Sequence, residues 1–399
     1  MRAVLHRLFF SHGIAIALVV VVAVALGLSS HGRSTPYNND VLLADAILHG
    51  HLWVDRHDTV IDSLAYNGHN WIIEGPVPAL LAIPLAALYH ADANQTTESL
   101  ILCAIALIAA WRLLRRLGLG DRRSALLLLF LFAGTDLWWC SMLGDVWFIS
   151  HTAAVAFTFL ALDEAFGKKR SLLVALWAVL AFGSRFTMVL ALPLYAYILL
   201  QDADAAERRR RMVDFGGVVM LGVSLWFARN VAQYGTWRDI GYTLFYHQDP
   251  WGQQTGSPFR LAYFPYEFLS YFFQPPVLAE FRQLALWPIF KVDPHGVALT
   301  FTSPALFLAF FAPRTRLTWA LWGTAAAVGL PSFFYYLNGW YQFGMRHALD
   351  FEPFLLVLMA FALRERARVP AWFTGLVAWS CLFGVWGVWY WDSFFRSGN

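Results

Sequence analysis

The chain has 399 residues, of which 59% are hydrophobic and 14% are charged. Soluble domains carry about a quarter charged residues, so this composition excludes a globular protein that faces water on all sides. The formal net charge is only +3, and the Lys and Arg residues form short groups between apolar runs, which excludes a nucleic-acid-binding protein with a basic stripe on one face.

The first apolar run covers residues 14–28 and follows several basic residues. Such a segment is typical of a signal peptide or of a first membrane helix. Because no small-x-small cleavage site precedes Arg33, we interpret it as an uncleaved first helix with a cytoplasmic N-terminus.

Basic residues recur in groups along the chain, and the positive-inside rule places these groups in the cytoplasm. The groups are Arg112 with Arg115, Arg116, Arg122 and Arg123; Lys168 to Arg170; Arg208 to Arg211; Arg314 with Arg316; and Arg364 with Arg366 and Arg368. Because an even number of spans must connect one cytoplasmic group to the next, the sequence predicts an all-α polytopic membrane protein with about eleven transmembrane helices. It forms a single transmembrane domain over 1–399, with outer segments at 31–97 and 229–297.

The predicted spans follow from the apolar runs between these groups. In chain order they are 14–30, 98–111, 124–136, 150–168, two short helices within 171–200 that turn at Gly183–Arg185, then 215–227, 298–312, 317–336, 351–363 and 372–391. The apolar stretch 76–90 is short and carries Pro76, Pro78 and Pro84. We interpret it as an interfacial or re-entrant helix on the outer face, with a short true span as the alternative.

Polar residues collect on the predicted outer side. Asp40 opens a stretch with helical apolar spacing that stops at Gly50, so its carboxylate is either a helix cap or a base on an interfacial helix. Arg185 lies at or below the outer interface, as a snorkelling side chain or a functional one. The tight turn 339–347 places aromatic rings, including Tyr341, beside Arg346, a combination suited to a sugar face and a phosphate.

Soluble-enzyme signatures such as a P-loop, GxGxxG, HExxH or GxSxG are absent from the sequence. The three cysteines, Cys103, Cys140 and Cys381, lie in or beside apolar stretches without paired spacing. We therefore predict no disulfide framework and no cofactor, and the sequence does not support a divalent metal.

Several short motifs carry a resemblance. They are Asn39–Asp40, the stretch 44–50 (ADAILHG), Tyr66–His69, the stretch 75–84 that begins Gly-Pro-Val-Pro, and Phe343–Asp350 (FGMRHALD) with Pro353. Their order resembles that of GT-C type integral-membrane glycosyltransferases, a class that includes protein O-mannosyltransferases, lipid A aminoarabinose transferases and Rgt-like galacturonosyltransferases. The mannosyltransferase branch carries an Asp-Glu pair at the first motif, whereas Val41 follows Asp40 here.

The resemblance implies a polyprenyl-phosphate sugar donor and transfer at the outer face. It gives Asp40 the role of general base, and we expect Glu74 to be a second carboxylate. Because a leaving phosphate needs cations, we assign its binding to Arg185, Arg346 and His347. Tyr341, Asp136 and His151 are predicted to bind substrate.

The function that follows is inverting transfer of a hexosyl or pentosyl group to a glycan, lipid or protein acceptor. The protein would be multi-pass in a bacterial inner membrane, among membrane lipids, with a periplasmic active site. One alternative is a lipid-linked sugar flippase or other transporter, but a transporter needs ionisable residues near the middle of its spans. The other is a non-catalytic protein with a GT-C-like fold.

Overall fold

The computed structural model describes residues 2–54, 60–278 and 290–396. Helices dominate the described chain, and its strands form two small antiparallel hairpins, which confirms the predicted all-α class. Asp55, His57 and Asp58 of the first outer segment lie outside the described residues.

The α-helices are α1 Arg2–Ser30, α2 Asn39–Leu48, α3 Val77–Tyr89, α4 Gln95–Arg116, α5 Asp121–Ala133, α6 Leu137–Leu143, α7 Val146–Ala165, α8 Ser171–Ser184, α9 Leu192–Leu200, α10 Ala205–Tyr234, α11 Gly241–Gln248, α12 Pro250–Thr255, α13 Phe264–Phe273, α14 Leu299–Thr302, α15 Arg316–Gly329, α16 Glu352–Arg364 and α17 Ala371–Trp391. Tighter 3₁₀ segments include His90–Asp92, Phe186–Ala191, Leu261–Tyr263, Pro304–Phe311, Leu330–Phe334 and Arg346–Asp350. Strands β1 Ser63–Tyr66 and β2 His69–Ile72 form one hairpin, and β3 Val277–Leu278 pairs with β4 Phe290–Lys291.

Helical segments lie at each of the predicted spans. Among the described residues, 5 helices are long and apolar enough to cross a membrane: α4, α7, α10, α15 with the turn that follows it, and α17. The pair α5 and α6, bent by 51°, makes a sixth, and shorter apolar helices cover Ile16–Ser30, Val77–Asp92, Ser171–Ser184 and Phe186–Leu200. The number of about eleven crossings, and the choice between an interfacial and a spanning α3, stay predictions.

The predicted basic groups meet at one end of the bundle. Arg112 and Arg116 each lie 2.8 Å from the carboxylate of Asp163 at the end of α7. The guanidinium of Arg123 donates to backbone carbonyls at the end of α16, and Arg366 in turn lies over the ring of Phe311. This clustering is what a shared cytoplasmic face requires.

The first outer segment docks on the opposite end of the bundle through Gln95, the first residue of α4. Its Oε1 accepts the backbone N–H groups of Asp40 at 3.0 Å and Val41 at 3.2 Å. Its Nε2 donates to the carbonyls of Tyr37 and Gly144. One buried amide therefore joins α2, α4 and the turn before α7.

A second docking point is the backbone of Gly75, which packs against the end of α8. A Cβ at Gly75 would overlap the carbonyl oxygens of Gly183 and Ser184. Glycine at this position therefore lets the Glu74–Gly75–Pro76 segment lie directly beside the turn that carries Arg185.

We expect Gly75→Ala to destabilise the protein by about 1–3 kcal/mol, because the added methyl group meets rigid backbone. Unfolding of the purified protein, followed by tryptophan fluorescence, measures this. The control is Gly217→Ala within α10, where an added Cβ has open space, and this change should be neutral or slightly stabilising. Equal effects of the two substitutions would show that the close approach at Gly75 is not needed.

Candidate functional site

The centre of the site is the carboxylate of Asp350, which is 2% exposed. Its Oδ2 accepts hydrogen bonds from Nε of Arg185 at 3.1 Å and Oγ1 of Thr187 at 2.9 Å. Its Oδ1 lies 2.7 Å from Nδ1 of His151 on α7. Asp350 therefore joins α7, the segment after α8 and the segment Arg346–Asp350.

Burial alone would raise the pKa of Asp350, but the charge of Arg185 and the contact with His151 hold it well below its ordinary value. The carboxylate is therefore ionised, and Arg185 is held in an ion pair. A snorkelling Arg would direct its guanidinium to the interface, whereas Arg185 directs it to Asp350; a functional role for Arg185 stays a prediction.

The two histidines of the site pack edge to face, with the ring centres of His151 and His347 5.0 Å apart. Nδ1 of His347 lies 2.9 Å from Nη2 of Arg185 and accepts its hydrogen bond. Burial and the charge of Arg185 push the pKa of His347 well below its usual value, which keeps this imidazole neutral.

His151, His347 and Asp350 each offer one metal-ligand atom, and these atoms lie within 4.8 Å of one another. In this arrangement Arg185 already binds the Nδ1 atom of His347 and one carboxylate oxygen of Asp350. A divalent ion would therefore compete with a guanidinium for its ligands.

Arg346 is the second cation of the site, and its side chain is buried above the ring of Phe148, with 5.2 Å between Cζ and the ring centre. Its Nε and Nη1 atoms have no hydrogen-bond partner within residues 2–54, 60–278 and 290–396. Burial lowers its pKa to about 10, so the guanidinium is charged at neutral pH. Arg346 is therefore a cation with two hydrogen-bond donors that are not used within the described residues.

Asp136 lies at the bend between α5 and α6, and the charge of Arg346 acts on its carboxyl group. Its carboxylate packs against Gly344, where a Cβ would overlap it. Gly344 therefore allows Asp136 to approach the turn that carries Arg346 and His347.

Asp40 is fully buried in the first turn of α2. Neither of its carboxylate oxygens has a hydrogen-bond partner in the described part of the chain, so the carboxylate is not a helix cap. Burial raises the pKa of Asp40 to about 8. This is the environment of a carboxylate poised to accept a proton near neutral pH.

Glu74 adds a second carboxyl group nearby, and burial together with the charges of Asp62 and Asp40 raises its pKa to about 8. Asp62 accepts a hydrogen bond of 2.6 Å from Nε1 of Trp147, and its charge also acts on Arg346. The carboxyl groups and the cations therefore share one end of the bundle.

Most predicted site residues meet at this end. Arg185 and His151 both bind Asp350, and His347 binds Arg185 and packs on His151. Arg346 and Asp136 lie beside them, and Asp40 and Glu74 lie on the docked outer segment. Tyr341 is different: its side chain is 48% exposed and packs on Trp340, outside the buried cluster.

Sequence reasoning missed several members of the site. Asp350 lies within the motif 343–350 but was not assigned a role, and Thr187 gives no sequence signal. Glu98 lies in the first turn of α4 and is buried, with both carboxylate oxygens unpartnered among the described residues. An acidic residue inside a predicted span was the available signal for Glu98.

The architecture is that of an all-α protein with several helices long and apolar enough to cross a membrane. The structure is similar to the crystal structure of ArnT from Cupriavidus metallidurans bound to undecaprenyl phosphate, with a TM-score of 0.51 and 14% sequence identity. The match covers 89% of this chain and 61% of ArnT, so the chain spans about three fifths of the length of that protein. No family model and no curated protein sequence matches the chain. At this identity the likeness shows the fold, which confirms the fold expected from the sequence motifs.

We expect Asp350→Asn to destabilise the protein by about 3 kcal/mol, because it leaves the partly buried Arg185 without its buried counter-ion. Denaturant unfolding in detergent measures this. Asp121→Asn removes the more exposed ion pair with Arg115 and should cost about 1 kcal/mol or less. If the two variants were equally stable, Asp350 would not be the residue that holds Arg185.

Proposed function

We propose that the protein transfers a sugar, with inversion, from a polyprenyl-phosphate-linked donor to a glycan, lipid or protein acceptor at the outer face of a bacterial inner membrane. One observation carries this proposal. Among the described residues, the carboxylate oxygens of Asp40 and the Nε and Nη1 atoms of Arg346 have no hydrogen-bond partner, and these groups lie at the same end of a fold similar to that of an undecaprenyl-phosphate-bound protein.

In this proposal Asp40 is the general base. Its carboxylate takes the proton of an acceptor hydroxyl, and the oxygen attacks the anomeric carbon of the donor as the bond from that carbon to the phosphate oxygen breaks. The raised pKa of Asp40 gives it the basicity for this step, and Gln95 holds its backbone in place.

Arg346 is the candidate for binding the departing phosphate, because its Nε and Nη1 donors are not used within the described residues. A guanidinium in a buried site stabilises developing phosphate charge strongly. Arg185, already paired with Asp350, and the neutral His347 would complete the phosphate-binding side.

The remaining assignments are supported by position. Glu74 lies near Asp40 as a second carboxyl group, while His151 and Asp136 border the cationic side and would bind substrate. The exposed Tyr341 would contact substrate at the rim. The basic groups at the opposite end of the bundle support an orientation in which the site faces outward.

The first test is Asp40→Asn, assayed as full-length protein in nanodiscs with radiolabelled polyprenyl-phosphate sugars and an envelope extract as acceptor. We expect transfer to fall by about 100-fold or more, because the amide cannot take the proton. The fold should be retained, since the variant removes a buried carboxyl group that has no hydrogen-bond partner within the described parts of the chain. Asp45→Asn on the same helix is the control and should keep its activity. Full activity of Asp40→Asn would remove this residue as the base.

The pH dependence gives a second test. Because the base must be ionised, kcat/KM should rise about tenfold per pH unit and level off above the pKa of about 8. Stability has the opposite sign: the folded pKa of Asp40 is raised, so its contribution is present at low pH and is lost as the pH rises through about 8. A flat rate profile between pH 6 and pH 9, about this pKa, would contradict the role.

The third test separates donor from acceptor binding. Arg346→Lys keeps the charge but loses the planar fork, so the KM for the donor should rise by about tenfold while that for the acceptor changes little. Arg238→Lys, at a guanidinium that lies over Trp237, is the matched control. Equal changes in both KM values would count against a phosphate role.

A further inference from the structure

Two turns at the basic end of the bundle, 311–316 and 364–372, carry five arginines and one acidic residue, Glu365. We call these two turns the arginine surface. Four of its arginines are exposed and Arg366 is partly buried; the exposed ones are Arg314, Arg316, Arg364 and Arg368. Five positive charges against one negative charge give the surface a strong positive potential, which attracts anions.

The two turns adjoin each other through the ring of Phe311. The guanidinium of Arg366 lies over this ring, with 5.2 Å between Cζ and the ring centre. The ring of Trp372, at the start of α17, packs on the same phenyl ring with 5.5 Å between the ring centres. Arg366 therefore lies beside the turn that carries Arg314 and Arg316, and both turns belong to one patch of the surface.

Hydrogen bonds fix the backbone of both turns. Arg123 of α5 donates to backbone carbonyls within residues 363–367, at distances of 2.7 and 2.8 Å. In the other turn, Thr315 and Thr318 form a capping box at the start of α15, and Thr318 also donates to the carbonyl of Pro313 at 2.6 Å. The backbone positions of the arginines are therefore set before a ligand binds, which lowers the entropy cost of binding.

The charges of the arginine surface are less compensated than those of other basic groups. Arg116 and Arg170, in two of those groups, pair with buried carboxylates at 2.8 and 2.6 Å. Of the five arginines of the surface, Arg364 alone has an ion pair within the described ranges, with the exposed Glu365 at 3.3 Å. The other guanidinium groups therefore have charge available for an anion.

Exposed aromatic rings border the arginine surface. Phe311, Trp319 and Trp372 are 55%, 66% and 42% exposed. Trp319 lies in the first turn of α15, shortly after Arg316. Tryptophan rings settle at the level of the lipid headgroups, between water and the hydrocarbon interior. We therefore expect the arginines beside these rings to lie at the depth of the lipid phosphates.

We propose that the arginine surface binds the phosphate group of an anionic phospholipid. A guanidinium matches a phosphate through two parallel hydrogen bonds, and basic clusters beside membrane helices bind anionic headgroups. The exposed rings favour a lipid over a free anion, because they offer contacts to its acyl chains. The surface lies at the end of the bundle opposite Asp40, so this site is separate from the proposed transfer site and does not depend on it.

The test measures binding of fluorescently labelled phosphatidylglycerol and phosphatidylcholine to the full-length protein in detergent micelles. We expect phosphatidylglycerol to bind at least about tenfold more tightly. The double variant Arg314→Gln with Arg368→Gln removes two exposed arginines and should weaken binding of phosphatidylglycerol by about tenfold. The matched control, Arg208→Gln with Arg209→Gln, removes the same charge from exposed positions of another basic group and should keep the preference.

The lipid site would be overturned by equal affinity for the two lipids, or by equal loss of affinity in the double variant and its control. Full displacement of the labelled lipid by inorganic phosphate at the same concentration would also overturn it, because it would indicate a site for a free anion. Unfolding midpoints of both double variants, followed by tryptophan fluorescence, check that the fold is retained. The comparison of the two lipids on the unchanged protein decides the matter without any variant.

Discussion

The buried carboxylate of Asp350 is the interaction on which the rest of the site depends. It binds Arg185, Thr187 and His151, and so connects three elements that are distant in the sequence. A buried ion pair contributes little net stability because both charges lose their hydration, but it fixes geometry strictly. Asp350 holds Arg185 and His151 directly and His347 through Arg185, and the cationic charge of Arg185 is largely compensated.

Other buried ionisable groups of this end lack hydrogen-bond partners among the described residues, and they mark where chemistry or binding is proposed. The carboxyl group of Asp40 and two nitrogens of Arg346 have no hydrogen-bond partner among the described residues. Natural folds satisfy nearly all buried polar atoms, and exceptions concentrate at functional sites. The contrast between Asp350, which is fully bonded, and Asp40, which is not, separates a positioning group from a reacting one.

The sequence predicted the helices well, because long apolar runs leave few alternatives in a membrane protein. The position of Asp40 in the first turn of α2 and the gathering of the basic groups were also predictable. The partner of Arg185 was not, because Arg185 and Asp350 are separated by 165 residues and only tertiary packing brings them together. The exposed position of Tyr341 was missed for the same reason: spacing within a turn does not tell which side chains face the interior.

The arrangement of charges also agrees with the course of the proposed reaction. As Asp40 takes a proton it becomes neutral, while the departing phosphate gains negative charge, so one negative charge moves across the buried site. Arg185 is already paired with Asp350, whereas Arg346 has two nitrogens without a hydrogen-bond partner among the described residues to meet it. Its attraction for the phosphate is therefore stronger in the transition state than in the bound donor, which is the condition for an interaction to raise the rate of a chemical step.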